Sequence, residues 1–370
     1  MKKKIAVLAG DGIGPEVVAQ ALQVLDAVAN RFGHQFTYHP ALVGATAIDK
    51  TGTPLPDATL ETCHKSDAIL FGAIGDPKYD NDPNAKVRPE QGLLKLRKSL
   101  GLYCNVRPVA SYSGLYHLSP LRDERIAGVD FVIYRELTGG IYFGDKGRSD
   151  DGKEAFDQCF YSRGEIERIA HLAFKAAQQR EKRLTLVDKA NVLESSRLWR
   201  ETIQKMAVDY SDVQLNYMFV DNAAMQLIVA PSQFDVILTS NMFGDILSDE
   251  ASVIPGSLGL LPSASIGSKV ALFEPIHGSY PQAAGEDIAN PMATILSAAM
   301  MLDHLEMYQE AMSIRDAINR CLTEGIGTPD LKAQYTYSCS QVGSLLSSIV
   351  MEESPQLKKD KIAESLSTII

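Results

Sequence analysis

An α/β fold in two domains is predicted from three observations. Three strand–helix units follow one another: Leu184-Thr-Leu-Val-Asp-Lys189 with a helix from Asn191, Gln214 to Val220 with a helix after Asp221-Asn222, and Phe234-Asp-Val-Ile-Leu-Thr-Ser240 leading into Asn241 to Glu250. The chain has 370 residues, beyond the ~250–300 at which a single core stops growing, so two domains are expected. The N-terminal strand, Ile5 to Ala9, runs through Gly10-Asp-Gly-Ile-Gly-Pro-Glu16 into a helix from about Pro15 to Asn30. That loop is not the dinucleotide fingerprint of a Rossmann fold. The third glycine of G-x-G-x-x-G would fall on Pro15, and Glu16 puts a negative charge where a pyrophosphate would sit. The loop serves either another close backbone approach or a turn.

Composition narrows the function. With 45% hydrophobic and 22% charged residues the chain is an ordinary globular protein. Its formal charge of −10, from 36 basic and 46 acidic residues, argues against nucleic acid as a partner, and small molecules are the expected ligands. Five scattered cysteines without a C-x-x-C pair read as reduced thiols in the cytoplasm. The five apolar residues after Lys2-Lys-Lys4 are fewer than the ~7–15 of a signal sequence. No stretch approaches the ~18 that a membrane helix needs.

A second strand, Ser66 to Phe71, opens into a long irregular segment from Gly72 to Glu90, of the kind that is functional or disordered. In Gly92-Leu-Leu-Lys-Leu-Arg97, Leu93, Leu94 and Arg97 share a helical face; leucine pairs are core residues by default. Strands at Leu102 to Pro108 and Asp130 to Thr138 carry Arg107 and Arg135 in apolar surroundings, where an arginine must be paired or meet an anion. Arg97, Arg107 and Arg135 together would suit a dicarboxylate, each gripping by a bidentate fork; singly, each is an ordinary salt-bridge partner. Glycine-flanked Gly139 to Gly144 precedes a polar stretch, Asp145 to Asp157, that reads as an exposed loop or arm.

Ligands of α/β sheets gather beyond the carboxyl ends of the strands, where Lys189, Asp221 and the Asn241 segment lie. On a helix, Asp245 and Asp249 stand on one face, where like charges repel unless a cation offsets them. Oxygen donors without Cys or His favour Mg²⁺ or Mn²⁺; the alternative is two solvated carboxylates. The segments around Pro255–Pro262, Phe273–Pro281 and Asn290 read as loops and elements of another domain, and the last twenty residues as a solvated helix.

These pieces together resemble the β-decarboxylating dehydrogenases, the family of isocitrate, tartrate and 3-isopropylmalate dehydrogenases. The resemblance rests on Gly10–Glu16, Leu93–Arg97, Tyr134-Arg-Glu-Leu-Thr-Gly-Gly-Ile-Tyr-Phe-Gly144, Val187-Asp-Lys-Ala-Asn191, Asn241–Glu250 and His277-Gly-Ser279, and runs through about Thr336. It implies a two-domain fold with a mixed sheet: residues 1–102 and 256–370 form a cofactor-side domain, and 103–255 a metal and dimerisation domain with an arm near 145–160. It implies a homodimer in which Lys189 and Asp221 act on the partner's site.

By the same resemblance Arg97, Arg107 and Arg135 hold the carboxylates of a substituted malate. Asp221, Asp245 and Asp249 surround Mg²⁺ or Mn²⁺. Leu93 and Leu94 face an alkyl side chain, and Glu90 lies near the nicotinamide. NAD is gripped by Gly12-Ile13, the loop ending at Glu90, and residues Glu274, His277, Gly278, Ser279, Gln282, Ala283, Gly285, Ile288 and Asn290. Lys189, expected among cations, is the base for alcohol oxidation, and Tyr142 protonates carbon 3 after CO₂ leaves. NAD-specific relatives carry an acidic residue where this chain has Gln282, which can bond a ribose hydroxyl but does not repel a 2′-phosphate; the Lys and Tyr of NADP users are absent too. Two other readings are a tartrate, D-malate or isocitrate enzyme, and a non-catalytic metal-dependent carboxylate binder, which would need neither Tyr142 nor Lys189.

Overall fold

A computed structural model describes residues 1–81 and 85–352. The tip of the loop between Gly72 and Glu90, and nearly all of the expected terminal helix, lie outside the described residues. The main strands are β1 (Lys2–Gly10), β2 (Gln35–Pro40), β3 (Ala68–Ala73), β4 (Leu102–Ala110), β5 (Asp130–Glu136), β6 (Lys146–Arg148), β7 (Ala155–Asp157), β8 (Arg183–Asp188), β9 (Gln214–Phe219), β10 (Val236–Thr239), β11 (Pro262–Gly267) and β12 (Ala271–Pro275).

The backbone clusters into two compact units, one from Met1–Leu102, Tyr112–Leu118 and the described chain from Pro255 onward, the other from Tyr103–Ser111 and Ser119–Ile254. Tyr112–Leu118 goes with the first unit because Gly114 presses on the Leu322 backbone, where a Cβ would come within 2.7 Å of the carbonyl oxygen.

In the first unit the strand order is β2-β1-β3-β12-β11, parallel except for the antiparallel β11–β12 pair. The Gly14–Phe32 helix buries Val17, Ala21, Val24, Leu25 and Val28, a 3.6-residue stripe, and is packed against the Cys339–Met351 helix. There a Cβ on Gly343 would lie 2.3 Å from the Gln20 side chain. Beneath the sheet Leu8, Phe71, Leu96, Leu102 and Leu272 form one apolar cluster. Burying such side chains is worth about 1.5–3 kcal/mol each before chain entropy is counted.

The second unit has the order β4-β5-β10-β8-β9, with β4 antiparallel to β5 and the rest parallel. The three strand–helix units read from the sequence supply β8, β9 and β10, followed by helices Glu194–Met206, Val220–Val229 and Asn241–Ser252. The Arg163–Gln179 helix starts with a reciprocal Ser162/Glu165 capping box and lays Ile166, Ile169, Ala173 and Phe174 on the sheet. The predicted arm is a short hairpin, β6 antiparallel to β7, with Phe156 exposed.

Candidate active site

Parallel register sets Arg135 of β5 level with Thr239 of β10, Val187 of β8 and Met218 of β9. Each strand then ends within two residues, so Asn241, Lys189 and Asp221 all leave the sheet at its carboxyl edge, as read from the sequence. The Asn241–Ser252 helix starts directly on β10 and passes so close to β5 that a Cβ on Gly244 would lie 2.6 Å from Cγ of Arg135.

Asp245 is the meeting point of this edge. Its Oδ1 forms a close ion pair with Nη1 of Arg135, and its Oδ2 accepts from the Tyr142 hydroxyl at 2.8 Å. Arg135 also donates Nε and Nη2 to Oδ1 of Asn241, at 3.0 and 2.8 Å. Partial burial, and next the Asp245 carboxylate, raise the Tyr142 hydroxyl above its ordinary value, so it keeps its proton at neutral pH. Tyr142 ends a tight 3₁₀ turn, Gly140–Tyr142, in which Gly140 has φ +76°. Fully buried Glu136 shapes that turn by accepting from the N–H groups of Thr138 and Gly139 and from Arg168.

Arg107 lies on the same face of the β4–β5 ladder as Arg135, because Asn105 is the cross-strand partner of Arg135 and Arg107 is two residues on. Its Nε donates to Oδ1 of Asn105 at 2.9 Å. Arg97 belongs to the first unit, where it pairs at 2.7 Å with Glu274, a residue expected at the cofactor. On the same helix, Pro89–Leu100, Leu93 packs against the apolar cluster, but Leu94 is 56% exposed and so is not core.

Lys189 corrects one expectation. Its ammonium sits not among cations but on Asp221, 2.5 Å from Oδ1, because neighbouring parallel strands release both residues at the same edge. The Lys189 hydrogen bond in turn lowers the Asp221 carboxyl below its usual range.

The donors fit a hard divalent cation. Asp245 and Asp249 offer oxygen alone, and the exposed Asp249 carboxylate makes no hydrogen bond among the described residues. Asp221 of the same chain does not join them in a common ligand cluster. Ile246, Asp249 and Val253 share one exposed face of the helix, so the open side of the Asp245 and Asp249 carboxylates adjoins uncovered apolar surface.

A second concavity, a cavity of about 460 Å³, lies within the first unit. Ile13, His277, Gly278, Ile288 and Asn290, all expected at the cofactor, line it. Burial keeps the His277 imidazole below its ordinary pKa and hence neutral, and its buried Nε2 has no hydrogen-bond partner among the described residues, as suits a group that can take a polar ligand. The glycine loop makes a close backbone approach rather than a mere turn. Gly12 lies so near Ser279 that a Cβ would come within 2.0 Å of the carbonyl oxygen, which accepts from the Ile13 N–H at 2.8 Å. Buried Asp11 ties this loop to the N–H groups of Ala45, Thr46 and Gly75.

The other expected cofactor contacts stand off the cavity lining. Glu90 and Ser279 flank Gly75, Ala283 is buried in a small apolar cluster, Gly285 donates to Glu16, and Gln282 is exposed. Sequence reasoning missed Gly256, Ser257, Leu258, Gly259 and Asp330, which do line it. Asp330 bonds Ser257 at 2.8 Å and Asn290 at 3.1 Å. Its only sequence signal is a Pro-Asp turn at 329–330.

The chain belongs to the isocitrate/isopropylmalate dehydrogenase family, whose profile it matches over residues 4–346. It is 55% identical over 334 residues to a 3-isopropylmalate dehydrogenase of Bacteroides fragilis, covering 90% of this chain and 94% of that one. The enzyme of the same name from Bacillus subtilis is 53% identical over 347 residues, 92% of this chain and 95% of that. Among solved structures, isocitrate dehydrogenase from Methylococcus capsulatus matches with a TM-score of 0.82 at 34% identity, covering 95% of this chain and 100% of that one. A β-decarboxylating dehydrogenase from Thermococcus kodakarensis matches with a TM-score of 0.79 at 36% identity, covering 94% and 96%. The fold is therefore the mixed-sheet α/β architecture of this family.

Proposed function

We propose that the protein oxidises and decarboxylates 3-isopropylmalate to 4-methyl-2-oxopentanoate, with NAD as acceptor, as a cytoplasmic enzyme of leucine biosynthesis. The observation that carries this reading is the Asp245 carboxylate, which holds a buried arginine and a protonated tyrosine together at the carboxyl edge of the sheet. The names of the relatives select isopropylmalate over isocitrate. Exposed Leu94 agrees, since an isocitrate enzyme needs polar groups for a third carboxylate and this side chain offers an alkyl group apolar surface.

In this reading Arg97, Arg107 and Arg135 grip the malate carboxylates by charge-assisted hydrogen bonds. Lys189 takes the proton of the substrate hydroxyl, for which its amine must be free of Asp221. Tyr142 delivers its proton to carbon 3 after CO₂ leaves. Asp245 and Asp249, with Asp221 of a second copy, would hold a divalent cation, which would supply Lewis-acid stabilisation of the oxygen on carbon 2; Ile13, His277, Gly278, Ile288 and Asn290 would hold NAD, which would supply the hydride acceptor. Asp221 does not join its own chain's metal pair, while Met225, Ile228, Val229, Ile246 and Val253 leave apolar surface uncovered on adjacent helices. Both facts support a homodimer whose Lys189 and Asp221 complete the partner's site.

Comparison of kcat/KM for 3-isopropylmalate, malate, tartrate and isocitrate, with NAD and Mg²⁺, tests the substrate. A preference for isocitrate or tartrate would overturn it.

A further inference from the structure

We infer that Asn241 is a positioning residue that holds the substrate arginine and the acid tyrosine in one frame. The inference rests on the roles given above to Arg135 and Tyr142. Asn241 is 1% exposed, and both ends of its side-chain amide are used. Oδ1 accepts from Nε and Nη2 of Arg135, while Nδ2 donates to the carbonyl of Gly139 at 3.1 Å. Its backbone N–H donates to the Tyr161 hydroxyl at 2.9 Å, which fixes the first residue of the helix that carries Asp245 and Asp249.

The bond to Gly139 matters because that residue begins the turn of Tyr142. Its N–H is held by Glu136 at 2.7 Å and its carbonyl by Asn241, so the peptide segment is pinned from two sides. Gly140, next in line, lies under Tyr161, where a Cβ would be 2.2 Å from the hydroxyl oxygen. The turn therefore has no slack, and moving the amide moves Tyr142 relative to Asp245. An amide is required at this position. It presents an acceptor to the guanidinium and a donor to the carbonyl, whereas a carboxylate would set a second acceptor against the Gly139 oxygen and an apolar side chain would withdraw a buried bond from each partner.

The test uses Asn241→Asp, which keeps an acceptor for Arg135 and loses the donor to Gly139, and Asn241→Ala, which loses both. A displaced proton donor costs rate steeply, ~10²-fold for about 1 Å. Asn241→Asp is expected to lower kcat ~10–100-fold with kcat/KM for 3-isopropylmalate nearly unchanged, because the slowed step follows the loss of CO₂. It should also produce a rapid burst of one NADH per site before a slow steady state, because hydride transfer now outruns protonation of carbon 3. Asn241→Ala should add a rise in KM of about 10-fold, as Arg135 loses its anchor. A loss of folded protein alone lowers the amplitude of turnover and creates no burst. Tyr142→Phe is the reference: a burst there but none in Asn241→Asp overturns the inference alone, and no burst in Tyr142→Phe overturns the acid role of Tyr142 and the inference with it. Unchanged kcat and KM in both Asn241 variants also overturn it. If neither variant melts cooperatively, Tyr161→Phe, which deletes only the hydroxyl that receives the Asn241 N–H, carries the test. The same burst is expected with a smaller fall in kcat, and wild-type kinetics there sink the proposal.

Discussion

The Tyr142 hydroxyl donates to Oδ2 of Asp245 at 2.8 Å, while the other oxygen of the same carboxylate binds Arg135. One carboxylate thus orients the tyrosine proposed as proton donor, faces the arginine proposed to hold substrate and belongs to the pair proposed to hold the metal. Removing the tyrosine hydroxyl should therefore act on a different step from removing the base. Tyr142→Phe and Lys189→Met are each expected to lower kcat by ~10²–10⁴ with less effect on KM. Single-turnover NADH formation separates them: it should persist in Tyr142→Phe and stall in Lys189→Met. Equal loss of that first NADH in both variants would refute the division of labour.

Asp245→Asn removes one charged oxygen from the carboxylate pair proposed to hold the metal. Mn²⁺ titrated into the variant, followed by its electron-spin signal, should bind more weakly than to the wild type, and the metal concentration needed for half activity should rise accordingly. An unchanged Mn²⁺ affinity would leave Asp249 a solvated helix carboxylate and Asp245 a partner of Arg135 and Tyr142 alone.

The proposed sharing of sites across a dimer can be tested by complementation. A Lys189→Met chain co-expressed with an Asp249→Asn chain forms mixed dimers in which one site carries both lesions and the other carries none. Activity regained above either parent supports the shared site. Mixed dimers that form and remain inactive place Lys189 in its own chain's site.

Two buried imidazoles set an acid limit on stability. His277 and His304 both have pKa values lowered by burial. The unfolded chain, titrating near the ordinary ~6.5, then binds protons that the folded chain refuses, so stability falls as pH drops through that value toward the folded pKa. Tm should decline between pH 7.5 and 5.5, and a His277→Gln/His304→Gln variant should show a flatter profile. A variant slope as steep as the wild type's would remove these two residues as the cause.

Thiol chemistry should be confined to one position. Burial pushes the thiols of Cys63 and Cys339 up to about 12 and that of Cys321 up to about 11, and Cys104 is raised well above its ordinary value. Cys159 alone is exposed. Alkylation of the native protein at pH 8, mapped by peptide mass, should mark Cys159 and spare the other four until the protein unfolds. Label on any of the four before unfolding contradicts the packing described.

What the sequence disclosed follows from which residues carry periodic signals. β8, β9 and β10 are apolar runs closed by polar residues, and their ends located Lys189, Asp221 and Asn241. β11, Pro262-Ser-Ala-Ser-Ile-Gly267, is not among the strands predicted from the sequence, because its buried serines interrupt any apolar run; their burial depends on β12, for Ser263 donates to the Glu274 carbonyl. β2 was missed for a related reason, since none of its residues is fully buried. At the site, Arg135 and Asp245 were legible by residue type and position. The bridging amide of Asn241 and the cavity wall at Asp330 were not, because each acts through partners 40 to 106 positions away in the chain.

The contact between the Gly14–Phe32 and Cys339–Met351 helices also bears on how the protein is made. Arg31 donates to the Val350 carbonyl at 2.8 Å, and the apolar stripe of the Gly14–Phe32 helix is covered in part by the Cys339–Met351 helix. On a ribosome adding ~5–20 residues per second, that stripe waits for roughly 300 residues of synthesis, about 15–60 s, before its cover emerges. For that interval the nascent chain shows a surface that chaperones bind, whereas the sheet of β5, β8, β9 and β10 can already close. A chain lacking the Cys339–Met351 helix would leave that part of the stripe uncovered, and is expected to meet chaperones and proteases more often than the full chain does.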